Sequence, residues 1–191
     1  MVNLAEMRAA VKLQRRLDVA VADAWDPAAN PPEMPTVGCA GVVVGVVDSG
    51  VDALHADFFD TATNQTRVTH YWDQNSNVVV SDGLPASVEA HCATNGCDCD
   101  PSAVGHGTHV ATTAAGRFGQ CPGAQIIAVA TTMFTDAIVD GVNWIFQMAA
   151  GTPAVINLSL GGHFGPHDGT DIMDIGLDEA IALNGAQAPG L

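Results

Sequence analysis

The sequence predicts an α/β domain in which helices cover both faces of a doubly wound, mostly parallel β-sheet. Three observations predict this fold. Short apolar runs of strand length alternate with longer segments of helical periodicity, in the order β–α–β–α–β–α. The run Val42–Val47 is almost unbroken valine, as in a central parallel strand buried on both faces. Apolar residues make up 48% of the 191 positions, which suffices for the core of one domain.

The first 36 residues form a segment of their own in this interpretation. Asn3 is a candidate N-cap of a helix over residues 3–25, with Glu6 three residues later as in a capping box. Asp26-Pro27 ends that helix, and a proline-rich linker follows. The helix is either a leader or a lid packed on the domain. The domain itself is assigned to residues 37–191.

Within the domain, each element is assigned from its apolar period and its flanking turn residues. We expect strands at 42–48, 66–74, 77–80, 125–130 and 154–158, helices beginning near 108, 134 and 174, and a polar, cysteine-bearing loop over 81–104. Asn184-Gly185 should end the last helix at Leu183 as a C-cap.

Two residues at element ends carry the chemistry. Asp48 ends the valine strand, where open α/β sheets place their ligands. His106 stands at the entrance of the next helix, behind a glycine. A carboxylate that fixes the tautomer of an imidazole, which then takes a proton from a serine, is the logic of an Asp–His–Ser relay. Asp48 as a helix cap and His106 as a turn residue are the plainer interpretations.

Three blocks resemble the subtilisin-like serine proteases, or subtilases. Val47–Asp52 is similar to their Asp block, His106–Ala111 to their His block, and Val155–Gly162 to their substrate-binding strand, and the three occur in the family's order. The resemblance runs from about Gly38 to about Leu183. It implies a subtilisin-like fold, with Asp48 as the orienting acid and His106 as the general base. It also implies that Ser159, Leu160 and Gly161 pair with a peptide or protein substrate.

The sequence departs from the family pattern in two ways. Thr112 stands where the family usually has glycine after the His block. No Gly-Thr-Ser-Met-Ala block follows, so neither the nucleophile nor the oxyanion asparagine is present in these 191 residues. We therefore expect a C-terminally incomplete fold that is inactive alone, with a missing C-terminal portion carrying the Ser as a candidate partner. A truncated gene, a frameshift and a split enzyme all remain open. The strand from Ala154 should then have one unpaired edge.

Two rival functions come from other classes. The first is a pseudoprotease that binds extended peptides along Ser159-Leu160-Gly161 without cleaving them. The second is a metal hydrolase that uses His106, His109 and ligands near Cys92. Spacing places no third ligand, so a packed, structural His109 is the favoured interpretation and no metal site is assigned.

Charge and hydropathy limit the classes of partner that the protein can have. Asp and Glu number 21 against 6 Lys and Arg, which gives a net charge of −15 and argues against nucleic acid. No run of 18 apolar residues is present, so no membrane partner is expected. The N-terminus is interrupted by Arg8 and Lys12 and does not have the pattern of a signal peptide. Family analogy favours secretion, and localisation is left unassigned.

Cysteines and one aspartate raise the question of disulfides and cofactors. The chain has five cysteines, and the spacing of Cys92, Cys97 and Cys99 does not match a zinc knuckle. One or two disulfides, or free thiols, are favoured, and one cysteine must remain unpaired within the chain.

The resemblance makes Asp57 a candidate calcium ligand, although a turn carboxylate is the favoured interpretation. No other cofactor is implied.

Overall fold

The structure is a computed structural model that describes residues 39–98, 105–163 and 165–185. Five strands form one sheet in the order β3-β2-β4-β1-β5. The strands are β1 (Val43–Asp48), β2 (Val68–Asp73), β3 (Val78–Val80), β4 (Gln125–Ala130) and β5 (Ala154–Asn157). All neighbours are parallel except β3, which runs antiparallel to β2. The predicted doubly wound, mostly parallel α/β fold is confirmed.

Helices cover both faces of this sheet. They are α1 (Pro85–Asn95), α2 (His106–Ala115), α3 (Thr135–Ala149) and α4 (Ile172–Gly185), with a short 3-10 helix at Ala56–Phe58. α1 packs on β2 and α2 on β1, while α3 packs on β1 and β4 and also contacts α4. Alternate residues of β1 therefore enter different cores. Val44 and Val46 join the cluster under α1 and α2, whereas Val43 and Val47 join the one under α3.

Two boundaries differ from the sequence-based expectation. Residues 81–104 are not simply a loop, because Pro85 begins the helix α1, and Val88 and Cys92 are buried within it. The last helix runs from Ile172 to Gly185, so Asn184 lies inside it instead of capping it. The Asn184 side-chain amide donates to the carbonyl of Ala180 at 2.7 Å, one turn back.

Two disulfides tie the domain together. Cys39 is bonded to Cys121 across 82 positions, and Cys92 is bonded to Cys97 across 5. The disulfide interpretation is thus confirmed for four of the five cysteines, while Cys99 lies outside the described residues. The predicted helix over residues 3–25 and the linker to residue 36 also lie outside them.

The predicted unpaired edge is confirmed within the described residues. β5 pairs with β1 on one side, and the described part of the chain supplies no strand on its other side. None of the described helices combines the length and the apolar character needed to cross a membrane.

Candidate active site

Asp48 is buried at the carboxyl end of β1, between β4 and β5. None of its surface is exposed. Its carbonyl accepts from the amide of Thr131 at 2.8 Å, which fixes the chain as it leaves the sheet. Its Oδ1 accepts from the amide of Ser49 at 2.7 Å, while Oδ2 is buried and has no hydrogen-bond partner among the described residues. The strand end therefore presents a carboxylate in a set orientation within a dry environment.

His106 is the first residue of α2 and faces this carboxylate. The distance from His106 Nδ1 to Asp48 Oδ1 is 2.7 Å, and about half of the imidazole side chain is exposed. The two side chains are therefore within hydrogen-bond reach, as the relay suggested by the sequence requires. When Nδ1 carries the proton it donates to Asp48, and Nε2 is then the basic nitrogen. This geometry suits an imidazole that accepts a proton from a hydroxyl and is stabilised as imidazolium by the carboxylate.

Both glycines that flank His106 are required by the structure, one by its backbone conformation and the other by close packing. Gly105 caps α2 in the left-handed conformation, with φ of 67°, where a side chain would be strained. Gly107 lies against the loop after β1, because a Cβ at that position would be 2.0 Å from the carbonyl oxygen of Gly50. The helix start can approach Asp48 only when residue 107 has no side chain. The Gly-His-Gly sequence thus follows from packing at the site.

A second carboxylate, Asp98, joins the two sides of the pair. Its Oδ1 accepts from Ser49 Oγ at 2.7 Å, and its Oδ2 accepts from the amide of Thr108 at 2.9 Å and from the Thr108 hydroxyl. Ser49 Oγ in turn accepts from the amide of Gly107 at 3.0 Å. Sequence reasoning missed Asp98. The available signal was a hydroxyl directly after Asp48 and another two residues after His106, both of which need partners when buried.

The predicted substrate residues Ser159, Leu160 and Gly161 follow β5 at the same edge of the sheet. Val46 is paired with Asn157, so Asp48 and Ser159 each lie two residues beyond that pair. Asn157 Nδ2 donates to Ser159 Oγ at 3.0 Å. A cleft of about 730 Å³ opens beside this segment. Apart from Ser159, Leu160 and Gly161, its lining residues were not predicted from the sequence. It is lined by Met133, Thr135, Ile138, Ser159, Leu160, Gly161, Gly162, His167, Asp171, Met173 and Asp174.

Other residues singled out from the sequence lie apart from this site or differ from what the sequence predicted. His109 is exposed, so the prediction that it is packed is wrong; the buried face of α2 consists of Gly107, Ala111, Thr112 and Ala115. Cys92 is disulfide-bonded and is no thiolate ligand, which removes that part of the metal-hydrolase rival. No group of three His, Cys, Asp or Glu side chains suited to a metal occurs in the described ranges. Calcium at Asp57 stays a prediction.

A buried aspartate at the end of a parallel strand that orients a histidine at a helix start has the form of the acid–base half of a serine hydrolase. Comparison with known families places the chain within that class. The model of the subtilase family, peptidase S8, matches residues 40–188. The chain therefore belongs to the subtilase family, as its Asp, His and substrate-strand blocks indicated.

Similar proteins agree with this assignment. Subtilisin-like protease 1 of Arthroderma otae is 35% identical over 132 residues, which cover 64% of this chain and 22% of the relative. The cuticle-degrading serine protease of Arthrobotrys oligospora is 32% identical over 133 residues, covering 66% of this chain and 27% of the relative. The chain thus spans about a quarter of the length of these curated relatives.

Two solved structures share the fold. The CspB protease of Clostridium perfringens superposes with a TM-score of 0.70 at 22% identity, covering 84% of this chain and 37% of that one. A cold-adapted subtilisin-like serine proteinase superposes with a TM-score of 0.50 at 25% identity, covering 83% and 48%. The subtilisin-like fold is accordingly established for the described domain.

Proposed function

We propose that Asp48 and His106 are the orienting acid and the general base of a serine endopeptidase. The observation that carries this proposal is the 2.7 Å contact between Asp48 Oδ1 and His106 Nδ1 at adjoining strand and helix ends. Asp48 holds the imidazole in one tautomer and stabilises the imidazolium that forms on proton transfer. Ser159-Leu160-Gly161 lines the neighbouring cleft, where it pairs with the backbone of an extended peptide or protein substrate.

The nucleophile and the oxyanion asparagine must come from residues other than these 191. The sequence holds no Gly-Thr-Ser-Met-Ala block. In subtilisin itself, removal of the serine costs on the order of 10⁶ in turnover, and that known magnitude for subtilisin sets the scale for a chain without the residue. We therefore propose that this chain by itself does not hydrolyse peptides and that a C-terminal portion supplies the serine.

The test compares the 191-residue chain with a chain extended through the coding sequence that follows Leu191. The short chain should show no peptidase activity and no labelling of a serine by a fluorophosphonate, because that reagent needs an activated hydroxyl. The extended chain should show both. In the extended chain, His106→Ala should lower turnover by about 10⁶ and Asp48→Asn by about 10⁴.

Two outcomes would overturn this proposal. Stoichiometric labelling of a serine in the short chain would show that these residues do contain a working nucleophile. An extended chain that cleaves peptides equally well without His106 would show that the base lies elsewhere.

A second candidate function, non-catalytic peptide binding, is favoured by the edge of β5 beside the cleft, which has no strand neighbour among the described residues. An extended peptide adds to such an edge through main-chain hydrogen bonds. Titration of the ¹⁵N-labelled chain with one unstructured peptide, followed by mass spectrometry of that peptide, separates the two functions. Shifts centred on Ser159-Leu160-Gly161 with an intact peptide, in both the short and the extended chain, would favour the pseudoprotease.

A further inference from the structure

We infer that Asp98 is a positioning residue for the Asp48–His106 pair and that the Cys92–Cys97 disulfide holds Asp98 in place. The inference rests on the proposed function for what the pair does, and on the contacts of the described residues for how the pair is held. Asp98 acts on the pair through its contacts to Ser49 and Thr108.

The carboxylate of Asp98 connects the loop after the acid to the helix that carries the base. Oδ1 accepts from Ser49 Oγ at 2.7 Å, and the amide of Ser49 is itself a donor to Asp48 Oδ1. Oδ2 accepts from the amide and the hydroxyl of Thr108, which is two residues after His106 in the first turn of α2. One side chain therefore fixes both halves of the pair relative to each other.

The helix start needs this external carboxylate. The first turn of α2 contains no acidic residue, and its N-cap, Gly105, has no side chain to accept from the free amides. Asp98, which precedes Gly105 in the chain, supplies the acceptor and the negative charge that a capping residue normally provides. Because Thr108 Oγ1 also accepts from the amide of Asp52 at 2.9 Å, the same contact anchors the chain beyond β1.

The hydroxyl of Ser49 is oriented by the same carboxylate. A serine hydroxyl has one proton to donate and lone pairs with which to accept. When the proton points at Asp98, the lone pairs are directed at the amide of Gly107, which donates to Ser49 Oγ at 3.0 Å. Without Asp98 the hydroxyl can turn towards other acceptors, and Gly107 loses a defined partner.

Asp98 is held from the other side by its neighbour Cys97. Cys97 is buried and is bonded to Cys92 in α1. Its carbonyl accepts from the hydroxyl of Tyr71, and Asp98 forms an isolated β-bridge with Gly50. Gly50 has a φ of 112°, and a Cβ there would be 2.1 Å from the carbonyl oxygen of Cys97. The segment carrying Asp98 therefore packs directly on the loop that follows Asp48.

The readout is the tautomer of His106 in the unaltered 191-residue chain, measured from the ¹⁵N shifts of the ring and from the slowly exchanging Nδ1 proton. His106→Gln assigns the signals. The unaltered chain should show the Nδ1–H form with a protected proton. Asp98→Ala should lose that protection and shift the ring towards the Nε2–H form that a free imidazole prefers.

Asp82→Ala is the matched control for removing a carboxylate at a helix start. Asp82 accepts from the amide of Leu84 at 3.0 Å and from the Ser87 hydroxyl at 2.6 Å at the beginning of α1, with no contact to Ser49 or Thr108. It should leave the His106 tautomer unchanged. Asp98→Asn keeps one oxygen acceptor and should give an intermediate loss, which serves if Asp98→Ala does not fold.

The two disulfides provide an independent comparison. Replacing Cys92 and Cys97 by Ser should reduce the protection of the His106 Nδ1 proton. It should lower the unfolding midpoint less than loss of the other disulfide does, because the ring that this bond closes is short. Replacing Cys39 and Cys121 by Ser should lower the unfolding midpoint more, because that bond spans 82 positions, and should leave the His106 tautomer intact.

The outcomes distinguish a failure of the proposed acid–base pair from a failure of the inference about Asp98. If the unaltered chain shows no Nδ1–H form at His106, the proposed acid–base pair fails. If it does, and a folded Asp98→Ala or Asp98→Asn variant keeps the same tautomer and the same protection, the inference about Asp98 fails and the pair stands. Equal loosening of His106 by both disulfide replacements would also overturn the role given to Cys92–Cys97.

Discussion

Arg67 joins three parts of the domain through its guanidinium. It donates to the carbonyl oxygens of Ala124 at 2.8 Å, Asp57 at 3.1 Å and Ala115 at 2.5 Å. Ala115 is the last residue of α2, so a cation lies at the end of the helix where the dipole favours it. Arginine suits this role because its planar fork carries five donors and stays charged.

We expect Arg67→Met to lower the free energy of unfolding by about 3 kcal/mol, because it leaves carbonyls without their donor in a partly buried place. Urea denaturation of both chains measures the change. Arg117→Met is the control, since Arg117 is exposed, and it should change stability by less than about 0.5 kcal/mol. Equal losses in the two variants would contradict the structural role of Arg67.

His70 should make stability depend on pH. Burial lowers the pKa of His70 below its ordinary value, and the nearby charge of Asp82 only partly opposes this. The unfolded chain therefore binds the proton more readily than the folded one. The contribution is fully present above about pH 6.5, the unfolded value, and is lost as pH falls through the lower folded pKa.

His70→Gln should flatten this dependence. Denaturation midpoints between about pH 8 and about pH 5 should fall more steeply in the unaltered chain than in the variant. The other titrating groups are common to both chains, so the difference between the two curves isolates His70. Parallel curves would contradict the assignment.

The acid–base pair was predictable from sequence because each member lies in a short local pattern. Asp48 ends a valine run, and His106 sits between glycines before a helix, so strand and helix ends alone bring them to one edge. Asp98 was not predictable. Its partners Ser49 and Thr108 lie 49 and 10 positions away, and one carboxylate in an acidic chain gives no periodic signal.

Among the elements, the parallel strands were predicted well and α1 was missed. Strands buried on both faces are continuous apolar runs, which Val43–Asp48 and Gln125–Ala130 supply. α1 buries only Val88 and Cys92 of its 11 residues, so its sequence has no apolar stripe. Pro85 marks its start in the structure, and a proline before polar residues indicates a turn equally well.

Gly45 allows α3 and β5 to pack closely on β1. A Cβ at this position would lie 2.7 Å from Ile145 Cγ2 and 2.9 Å from Ile156 Cγ1. Ile145 is fully buried, so its side chain has little space into which it can move. The absence of a side chain at residue 45 therefore sets the spacing between the central strand and its cover.

We expect Gly45→Ala to cost about 1–3 kcal/mol of stability through overpacking. Gly161→Ala is the matched control, because a Cβ there meets nothing within 4 Å and stability should hardly change. Thermal or urea unfolding of both variants measures this. A Gly45→Ala variant as stable as the control would show that the helix can shift outward at no cost.

At the scale of the whole molecule, the net charge and the edge of the sheet have opposite effects on self-association. The charge of −15 disfavours association between copies, but exposed charges are screened beyond about 10 Å at ordinary salt. β5 presents an unpaired edge within the described part of the chain, and Val155 on it is 58% exposed. Natural edges usually carry charges, proline or bulges, and Ala154–Asn157 has none of these.

Edge pairing should win when the protein is concentrated and the charge is screened. We expect the 191-residue chain to self-associate through β5, more strongly as salt is raised, and Val155→Lys to suppress this by placing a charge on the edge. Sedimentation velocity over a concentration series at low and high salt measures it. Val79→Lys is the control. Val79 is exposed on β3 at the opposite edge of the sheet, and its replacement by lysine adds the same charge to the molecule. If the unaltered chain stays monomeric throughout, with a sharp and concentration-independent unfolding transition, β5 is not an associating edge. If both lysine variants suppress association equally, net charge and not the β5 edge controls it.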